Sequence, residues 1–431
     1  MRDRRVFLGR ILCLCCCMAV LWLVPAGVEA RLVIPLDTPK VGRMPIGIPD
    51  FKVSGEASVD GRAMAMILRN DLYMTGLFEI VENAPTPSGT STDEPDFDAW
   101  AKAGVQTLVT GTVAVTGNEL IFDGRLYHVT LRKLEMGKRF RCRVPDHRLA
   151  IHRFGDRIME KLTDLVGSFC TQIAFVAASK PGEIYVMDFD GHNLRQATRT
   201  GTINLSPRWS PDGRGILFTS YLNRNPDLWF QGLQSGKLHL VSGRKGLNAS
   251  GRYSPDGRSI AASLSVEGIP KIFLLTPEGH IMNKLTHGRG NDISPTWSPD
   301  GSTLAYVSDQ AGTPHIYTIP SQGGQPRRLT FQSNYNTDPD WSPMGDMLAF
   351  TARIGGRFQI CTMRTDGTGF RVLTDKGSNQ TPTWSPDGRM IAFSSDRDGT
   401  GRIYVMDGGG EVQTPVSPIA GKSPAWSRTS R

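Results

Sequence analysis

The distribution of apolar residues changes character about two-fifths of the way along the chain. From residue 173 onward, short apolar runs such as residues 303–307 and 390–394 alternate with polar positions, and Gly, Pro, Asp and Ser separate the runs. Alternation with a period of two indicates half-buried β-strands, and the separating residues indicate tight turns. Because no segment of this region repeats apolar residues at helical spacing, the pattern predicts an all-β domain.

One short phrase recurs throughout this region: an aromatic residue followed by Ser, and in five of six copies by Ser-Pro-x-Gly. The aromatic residues lie 42–44 positions apart, at Trp209, Tyr253, Trp297, Trp341, Trp384 and Trp426. Each period contains four strand-like runs, which is the unit of one propeller blade. One aromatic per blade indicates packing between blades rather than a ligand cage. The repeat therefore predicts a six-bladed β-propeller over residues 169–431.

The two ends of the repeat array complement each other. The sixth phrase stops at Trp426 and Ser427, and the strands that should follow it are found at the other end. Residues 173–176 resemble residues 391–394, and residues 183–188 resemble residues 402–407. An open array would leave unpaired strand edges at both ends. The first strands of the region are therefore expected to complete the blade that the last strand begins, which closes the ring.

The preceding third of the chain has no repeat and mixes both periodicities. Helical spacing of apolar residues predicts helices, and alternation predicts short strands followed by an antiparallel set. The predicted helices are residues 59–74, 96–103 and 146–166, and the predicted strands are residues 32–34, 47–51, 78–81, 107–115, 119–131 and 139–143. These elements predict a small α/β domain over residues 31–168.

The first 30 residues have the order of a cleaved signal peptide. Four arginines precede an apolar run at residues 11–24, and residues 28–30 end in the small-x-small pattern of a cleavage site. This order predicts export, with a membrane anchor as the alternative. Arg4 and Arg5 resemble a twin-arginine motif, so the general secretory and twin-arginine routes both stay open.

Composition and charge narrow the function classes. The net charge is +8, but basic and acidic residues are interspersed, which is typical of a solvated surface and not of a nucleic-acid interface. Four of seven cysteines lie in the predicted signal peptide, so no disulfide scaffold is expected; pairing of Cys142 with Cys170 stays open. The chain has no nucleophile elbow, zinc-protease motif, P-loop or dinucleotide fingerprint. We expect a monomer that is not an enzyme, with no cofactor, no metal site and no direct membrane insertion.

The order of signal peptide, α/β domain and six blades, the last cut after Pro-Ala-Trp-Ser, resembles the TolB family of the Tol–Pal envelope system. The resemblance covers essentially the whole chain after residue 30. It implies a non-enzymatic periplasmic scaffold that supports outer-membrane integrity and constriction at cell division. It also implies binding of the lipoprotein Pal over the propeller mouth, and of TolA through an extended N-terminal segment. The segment that matches is Arg31, Leu32, Val33, Ile34, Leu36 and Asp37.

The loops that lead into the inner strands are the predicted Pal-binding surface, because their ends cluster on one face of the ring. They carry amide, acidic and aromatic side chains, which suit a hydrated protein interface. The predicted residues are Asn204, Asn248, Asn291, Asp292, Tyr335, Asn336, Asp338, Asn379 and Gln380. Any one of these Asn residues could instead serve only to form a turn. Two other classes stay open: a propeller hydrolase or lyase, and a peptidoglycan- or carbohydrate-binding module.

Overall fold

A computed structural model describes residues 42–55, 59–81 and 95–428. The predicted strand at residues 32–34 lies outside these residues, as does the predicted signal peptide. None of the helices in the described ranges combines the length and apolar character that a bilayer crossing requires. The boundary expected between residues 168 and 169 stays a prediction.

Three helices form where the sequence predicts them. They are α1 (Gly61–Met74), α2 (Phe97–Lys102) and α3 (His147–Thr163). The side chain of Asp60 accepts the Arg62 amide at 2.9 Å, and that of Asp96 accepts the Ala99 amide at 3.0 Å. Each bond satisfies an amide that the first turn leaves without a partner. Helix α3 ends at Asp164, which adopts the left-handed conformation (φ 59°).

These helices accompany a six-stranded sheet in the order β3-β1-β4-β5-β6, with β2 also paired to β4. Its strands are β1 (Met44–Gly47), β2 (Lys52–Gly55), β3 (Phe78–Ile80), β4 (Thr107–Thr116), β5 (Glu119–His128) and β6 (Lys133–Arg143). Helix α3 packs on this sheet where Gly124 leaves room for Phe154, since a Cβ atom at Gly124 would lie 2.5 Å from that ring. The predicted small α/β domain is therefore confirmed as a fold.

The predicted strand at residues 47–51 is wrong, because residues 48–51 form the connection between β1 and β2. Pro49 has no amide hydrogen for a strand ladder. The carbonyl oxygen of Ile48 accepts a bond from Arg69 Nε at 2.8 Å instead of pairing with a strand. Ile48 and Phe51 are nevertheless buried, which explains why their apolar pattern resembled a strand.

The remaining strands form six four-stranded sheets, which are the six blades. Blade 1 contains β10 (Asn204–Trp209), β11 (Gly215–Ser220), β12 (Asp227–Gly232) and β13 (Leu238–Ser242). Blade 2 contains β14 (Asn248–Tyr253), β15 (Ile260–Leu264), β16 (Lys271–Leu275) and β17 (Ile281–Lys284). Blade 3 contains β18 (Asp292–Trp297), β19 (Thr303–Ser308), β20 (His315–Pro320) and β21 (Arg327–Arg328). Blade 4 contains β22 (Asn336–Trp341), β23 (Met347–Ile354), β24 (Arg357–Arg364) and β25 (Arg371–Val372). Blade 5 contains β26 (Asn379–Trp384), β27 (Met390–Ser395), β28 (Arg402–Asp407) and β29 (Gln413–Pro415). Blade 6 contains β30 (Gly421–Trp426), β7 (Gln172–Ala177), β8 (Ile184–Asp188) and β9 (Arg195–Gln196).

Blade 6 closes the ring from both ends of the propeller sequence. Strand β30 pairs antiparallel with β7, which aligns Trp426 with Ile173 and Gly421 with Ala177. The Ser427 amide extends this pairing by donating to the Gln172 carbonyl at 2.8 Å. Each inner strand also contacts the inner strands of the two neighbouring blades, so that β30 touches both β26 and β10. The predicted closure and the count of six blades are confirmed.

The recurring phrase forms a buried aromatic followed by a bonded turn. In blade 3, the indole of Trp297 is buried and donates to the Arg252 carbonyl of blade 2 at 3.1 Å. In the turn that follows, Ser298 Oγ donates to Asp300 Oδ1 at 2.5 Å, and this carboxylate accepts the Ser302 amide at 3.0 Å. The aromatic residues therefore pack between blades, as predicted. All three cysteines of the described residues are free thiols, so Cys142 and Cys170 are not paired.

Each inner strand also contains a bulge in which a residue other than glycine adopts a left-handed conformation. The φ angle at these positions is 49–54°. The partner strand skips register at the same place, for example between Leu205 and Arg208. The six residues are Ser206, Ser250, Ser294, Asp338, Thr381 and Ser423.

Candidate functional site

The ring has two faces, which differ in the connections they carry. The loop face is where the six inner strands begin; it carries the loops that lead into them and the loops between the second and third strands of each blade. The turn face is where the inner strands end; it carries the Ser-Pro-x-Gly turns, such as residues 298–301. Because binding residues gather on loops held by a rigid scaffold, the loop face is the candidate partner surface.

Seven of the nine predicted site residues lie in inner strands and not in loops, because Asp338 and Gln380 are inside such strands and five others begin them. Those five are also buried, at 0–2% exposed. The prediction of a loop is therefore wrong for Asp338 and Gln380, and the prediction of an exposed loop is wrong for Asn204, Asn248, Asp292, Asn336 and Asn379.

These buried residues join neighbouring blades, which is the physical reason for the difference. The Asn379 amide donates to Gln359 Oε1 at 2.8 Å, and Lys271 Nζ lies 2.9 Å from Asp292 Oδ2. In each case the partner belongs to the third strand of the preceding blade. Amide and carboxylate side chains occur here because a buried polar group needs a partner. We call these contacts the interblade clasps.

The clasp between blades 3 and 4 uses a histidine. The Asn336 amide nitrogen lies 3.2 Å from His315 Nδ1. Burial, together with the nearby Arg328 charge, lowers the pKa of His315. The imidazole is therefore neutral near pH 7 and can accept the hydrogen bond from Asn336.

The other four predicted residues are accessible to different degrees. Asn291 and Gln380 are exposed, and the Asn291 side chain donates to Asp309 Oδ2 at 2.6 Å. Tyr335 is half-buried against Phe358, with ring centroids 5.6 Å apart. Asp338 is half-buried in its left-handed bulge, and burial raises the pKa of its carboxyl group. These residues are compatible with partner binding, which stays a prediction.

The loop face also presents apolar side chains that the sequence interpretation missed. They stand in loops and are between 38% and 66% exposed. They are Ile203, Leu222, Val266, Ile269 and Phe331. Exposed apolar residues in the loops of one face are compatible with a protein interface there. The signal was present in the sequence, because each is an isolated large apolar residue inside a polar turn segment.

The turn-face end of the central channel is lined by a second polar group. It consists of five of the six residues that precede the aromatic in each phrase, which are Arg208, Arg252, Thr296, Asp340 and Thr383; the sixth, Ala425, is apolar. Arg252 of blade 2 bonds Thr296 of blade 3 and Asp340 of blade 4, so its contacts extend past one intervening blade. The sequence holds this signal too, because this position varies in charge while its neighbours in the phrase stay constant.

A charged network joins the α/β domain to blade 6. His152 of α3 lies 2.7 Å from Asp71 of α1 through Nδ1, and 3.4 Å from Asp190 through Nε2. Asp190 belongs to the turn between β8 and β9, where Arg148 also bonds it. Asp156 of α3 accepts the Phe169 amide at 2.8 Å at the start of the propeller.

The protonation of this network follows from its geometry. Burial opposes the charge on His152, but the Asp71 carboxylate and the contacts to Asp190 raise its pKa to about 10. Burial raises the pKa of Asp71 to about 6. Burial alone would raise the pKa of Asp190, but His152 and Arg148 hold it well below its usual range. The network is therefore an imidazolium between two carboxylates at neutral pH.

Asp71, His152 and Asp190 could each also offer one ligand atom to a metal ion, since these atoms lie within 4.8 Å of one another. A cation at this point would compete with the proton of His152 and with the neighbouring Arg148. The three side chains already form ion pairs with one another and with Arg148, so we assign them a structural role.

The predicted TolA-binding residues, Arg31, Leu32, Val33, Ile34, Leu36 and Asp37, lie outside the described residues. Their proposed role is therefore tested only by experiment.

A small α/β domain joined to a closed six-bladed β-propeller defines a class of propeller proteins with one loop-rich face. Residues 159–430 match the family described as the TolB beta propeller domain, and residues 32–134 match the TolB amino-terminal domain. The propeller match covers well over half of the chain. The chain therefore belongs to the TolB family.

Individual relatives agree with this assignment. The Tol-Pal system protein TolB of Desulfosudis oleivorans is 35% identical over 230 residues, which is 51% of this chain and 52% of that protein. That of Geobacter sulfurreducens is 41% identical over 160 residues, or 36% and 37% of the two chains. The aligned part thus spans about half or less of these curated relatives. The crystal structure of TolB from Acinetobacter baumannii shares the fold, with a TM-score of 0.80, 24% identity, and coverage of 90% and 97% of the two chains.

Proposed function

We propose that this protein is a non-enzymatic periplasmic scaffold of the Tol–Pal system that supports outer-membrane integrity and constriction at division. In this proposal the loop face of the propeller binds Pal, and residues 31–37 bind TolA. The observation that carries it is the set of exposed apolar side chains on the loop face, among them Phe331 and Ile269. Buried interblade clasps directly beneath them hold the loops in place. A rigid face with apolar and amide groups suits a protein partner.

Export is part of the same proposal. An arginine-rich start followed by residues 11–24 and a small-x-small site is what a signal peptidase recognises. Release of residues 1–30 would leave Arg31 as the first residue. An extended apolar segment of this kind can add as a strand to the sheet edge of a partner, which is the binding mode we propose for TolA.

The two alternative functions, an enzyme and a carbohydrate-binding module, would each require particular side chains on an accessible surface. A hydrolase or lyase needs histidine and carboxylate groups that converge in an open cleft. In the described part of the chain, such groups meet at Asp71, His152 and Asp190, where the first two are buried and the third is half-buried. A carbohydrate-binding module would use exposed aromatic platforms. In the described loops of this face, Phe331 is exposed and Tyr221 and Tyr335 are half-buried. With one fully exposed aromatic among them, these loops favour a protein partner.

The loop face is tested by replacing one exposed apolar residue on each side of the ring. Phe331 on the loop face is 66% exposed, and Met344 on the turn face is 51% exposed. We expect Phe331→Ser to weaken the binding of purified Pal at least tenfold in calorimetric titration, because an apolar contact is lost. Met344→Ser is the matched control and should bind Pal like the unchanged protein. Equal Pal affinity for both variants would refute the assignment of this face.

The N-terminal segment is tested by deletion of residues 31–37 from the mature protein. The deletion should abolish TolA binding in a pull-down and leave Pal binding intact, because the two surfaces are separate in this proposal. Loss of both interactions, or of neither, would contradict it.

A further inference from the structure

The turn-face end of the channel contains a cavity of about 40 Å³. Side chains from four blades meet there: Arg208 of blade 1, Arg252 of blade 2, Thr383 of blade 5, and Trp426 of blade 6. Arg428, which follows the last inner strand, also lines the cavity. The cavity exceeds the space that one water molecule needs, and guanidinium and hydroxyl donors face it.

The arginines of this cavity exceed the acidic groups available to them. Asp340 is already engaged, because one of its oxygens bonds Arg252 and the other accepts the Trp384 amide at 2.7 Å. The guanidinium of Arg208 donates to its neighbour's carbonyl, that of Pro207, at 2.9 Å. The Asp338 carboxylate also attracts Arg208. Three positive charges therefore face two carboxylates, which leaves one excess positive charge for a ligand.

Burial in the channel also disfavours the charged form of these arginines. It removes the guanidinium of Arg208 from bulk water, and Arg252 repels it; together these lower the pKa of Arg208 to about 10. Like charges held close in a partly dry site favour the binding of an anion that offsets them. The planar donor fork of arginine matches the oxygens of carboxylate and phosphate groups.

We propose that this end of the channel is an oxyanion-binding site, in which Arg208 and Arg428 bind a carboxylate or phosphate group. The group could be a free anion, or the carboxylate of an acidic segment inserted into the channel by a protein. The site lies at the opposite end of the channel from the loop face, so the inference does not rest on the proposed Pal surface.

The test is calorimetric titration of the full mature chain at fixed ionic strength with three probes: inorganic phosphate, succinate and a hexaglutamate peptide. We expect at least one probe to bind saturably with one site per chain. Arg208→Gln and Arg428→Gln should each weaken that binding at least tenfold. Arg258→Gln is the matched control, because Arg258 is an exposed arginine of a Ser-Pro-Asp-Gly turn on the same face.

The probes also identify the source of the anion. Binding of phosphate and succinate supports a free small anion, whereas binding of hexaglutamate alone supports an inserted acidic segment. Absence of saturable binding for all three probes overturns the proposal. So does binding that Arg208→Gln and Arg428→Gln leave unchanged. Thermal unfolding of each variant checks folding, and Arg428 provides a second site outside the strand if Arg208→Gln is unstable. Failure of Pal binding would leave these results unaffected.

Discussion

The first residue of each inner strand joins two blades, but its chemistry differs around the ring. Asn379 meets a glutamine, Asn336 a histidine and Asp292 a lysine. In blade 6 this position is Gly421, whose backbone amide donates to the Gly401 carbonyl at 2.8 Å. What these positions share is a need to satisfy polar groups in a buried site. The effect of a substitution therefore depends on the partner across the junction.

The clasp between blades 2 and 3 gives the sharpest test of this dependence. The side chains of Lys271 and Asp292 are 5% and 3% exposed. Asp292→Ala should lower the free energy of unfolding by about 3–5 kcal/mol, because it leaves a buried ammonium group without a counter-charge. Glu267→Ala is the control, since it removes the exposed partner of Lys284 and should cost less than about 1 kcal/mol. Urea titration measures both, and equal effects would contradict the clasp.

For these same residues, the sequence predicted which positions are polar but not which strand packs against them. The repeat placed Asn204, Asn248, Asp292, Asn336 and Asn379 at equivalent positions. Whether such a position is exposed depends on the third strand of the neighbouring blade, which packs on it only after the ring has formed. Local pattern therefore predicted polar chemistry correctly and solvent exposure wrongly.

The inner strand as an element has one backbone feature that its residue types do not reveal. Thr381 adopts φ 54° in its bulge, although a branched side chain normally avoids this region. A left-handed residue with a Cβ atom costs roughly 1–2 kcal/mol. Because Pro or Gly follows these positions in each phrase, the sequence indicates a strand interruption but leaves its handedness undefined.

The strain at Thr381 predicts that the order of stability of glycine and alanine variants reverses between residue 381 and its neighbour, residue 380. Thr381→Gly should be more stable than Thr381→Ala by about 0.5–1 kcal/mol, because both lose the hydroxyl group and only alanine keeps the left-handed cost. At the exposed neighbour Gln380, in ordinary strand conformation, alanine should instead be more stable than glycine by about 0.5–1 kcal/mol. Chemical denaturation of the four variants decides the matter. The same order at both positions would argue against strain in the bulge.

For whole elements, prediction succeeded where local side-chain chemistry defines the ends. The carboxylates of Asp60 and Asp96 cap α1 and α2, and both helices were predicted within two residues of their observed starts. The prediction of a strand at residues 47–51 was wrong because its buried apolar residues belong to the connection between β1 and β2. The Ile48 carbonyl accepts from Arg69, 21 residues away, and the Phe51 amide donates to the Gly61 carbonyl at 3.3 Å.

For the whole molecule, the closure was predictable because both halves of blade 6 repeat the sequence of blade 5. The contact between the α/β domain and the propeller was not predictable. Asp71, His152 and Asp190 lie on three separate elements, and no periodicity relates them. Their meeting depends on how α1 and α3 dock on the turn between β8 and β9.

This junction predicts how the stability of the molecule depends on pH. The pKa of His152 rises on folding from 6.5 to about 10. Its charge therefore contributes fully below pH 6.5, and the contribution is lost as pH rises through about 10. Between pH 7 and 9.5 the free energy of unfolding should fall by up to about 1.4 kcal/mol per pH unit from this group. Asp71 and Asp190 stay ionised in this window, so the change belongs to His152.

Lysine, tyrosine and cysteine side chains also titrate at alkaline pH, so the slope is compared between variants. His152→Gln should abolish the component assigned to His152, since glutamine cannot take up the proton that the two carboxylates stabilise. His287→Gln changes an exposed histidine far from this junction along the chain and should keep the full slope. Urea titrations of the three proteins at several pH values give the slopes directly. If His152→Gln retained the slope of the unchanged protein, the junction would not be held by a charged imidazole, and the ion pair between Arg148 and Asp190 would join the two domains without it.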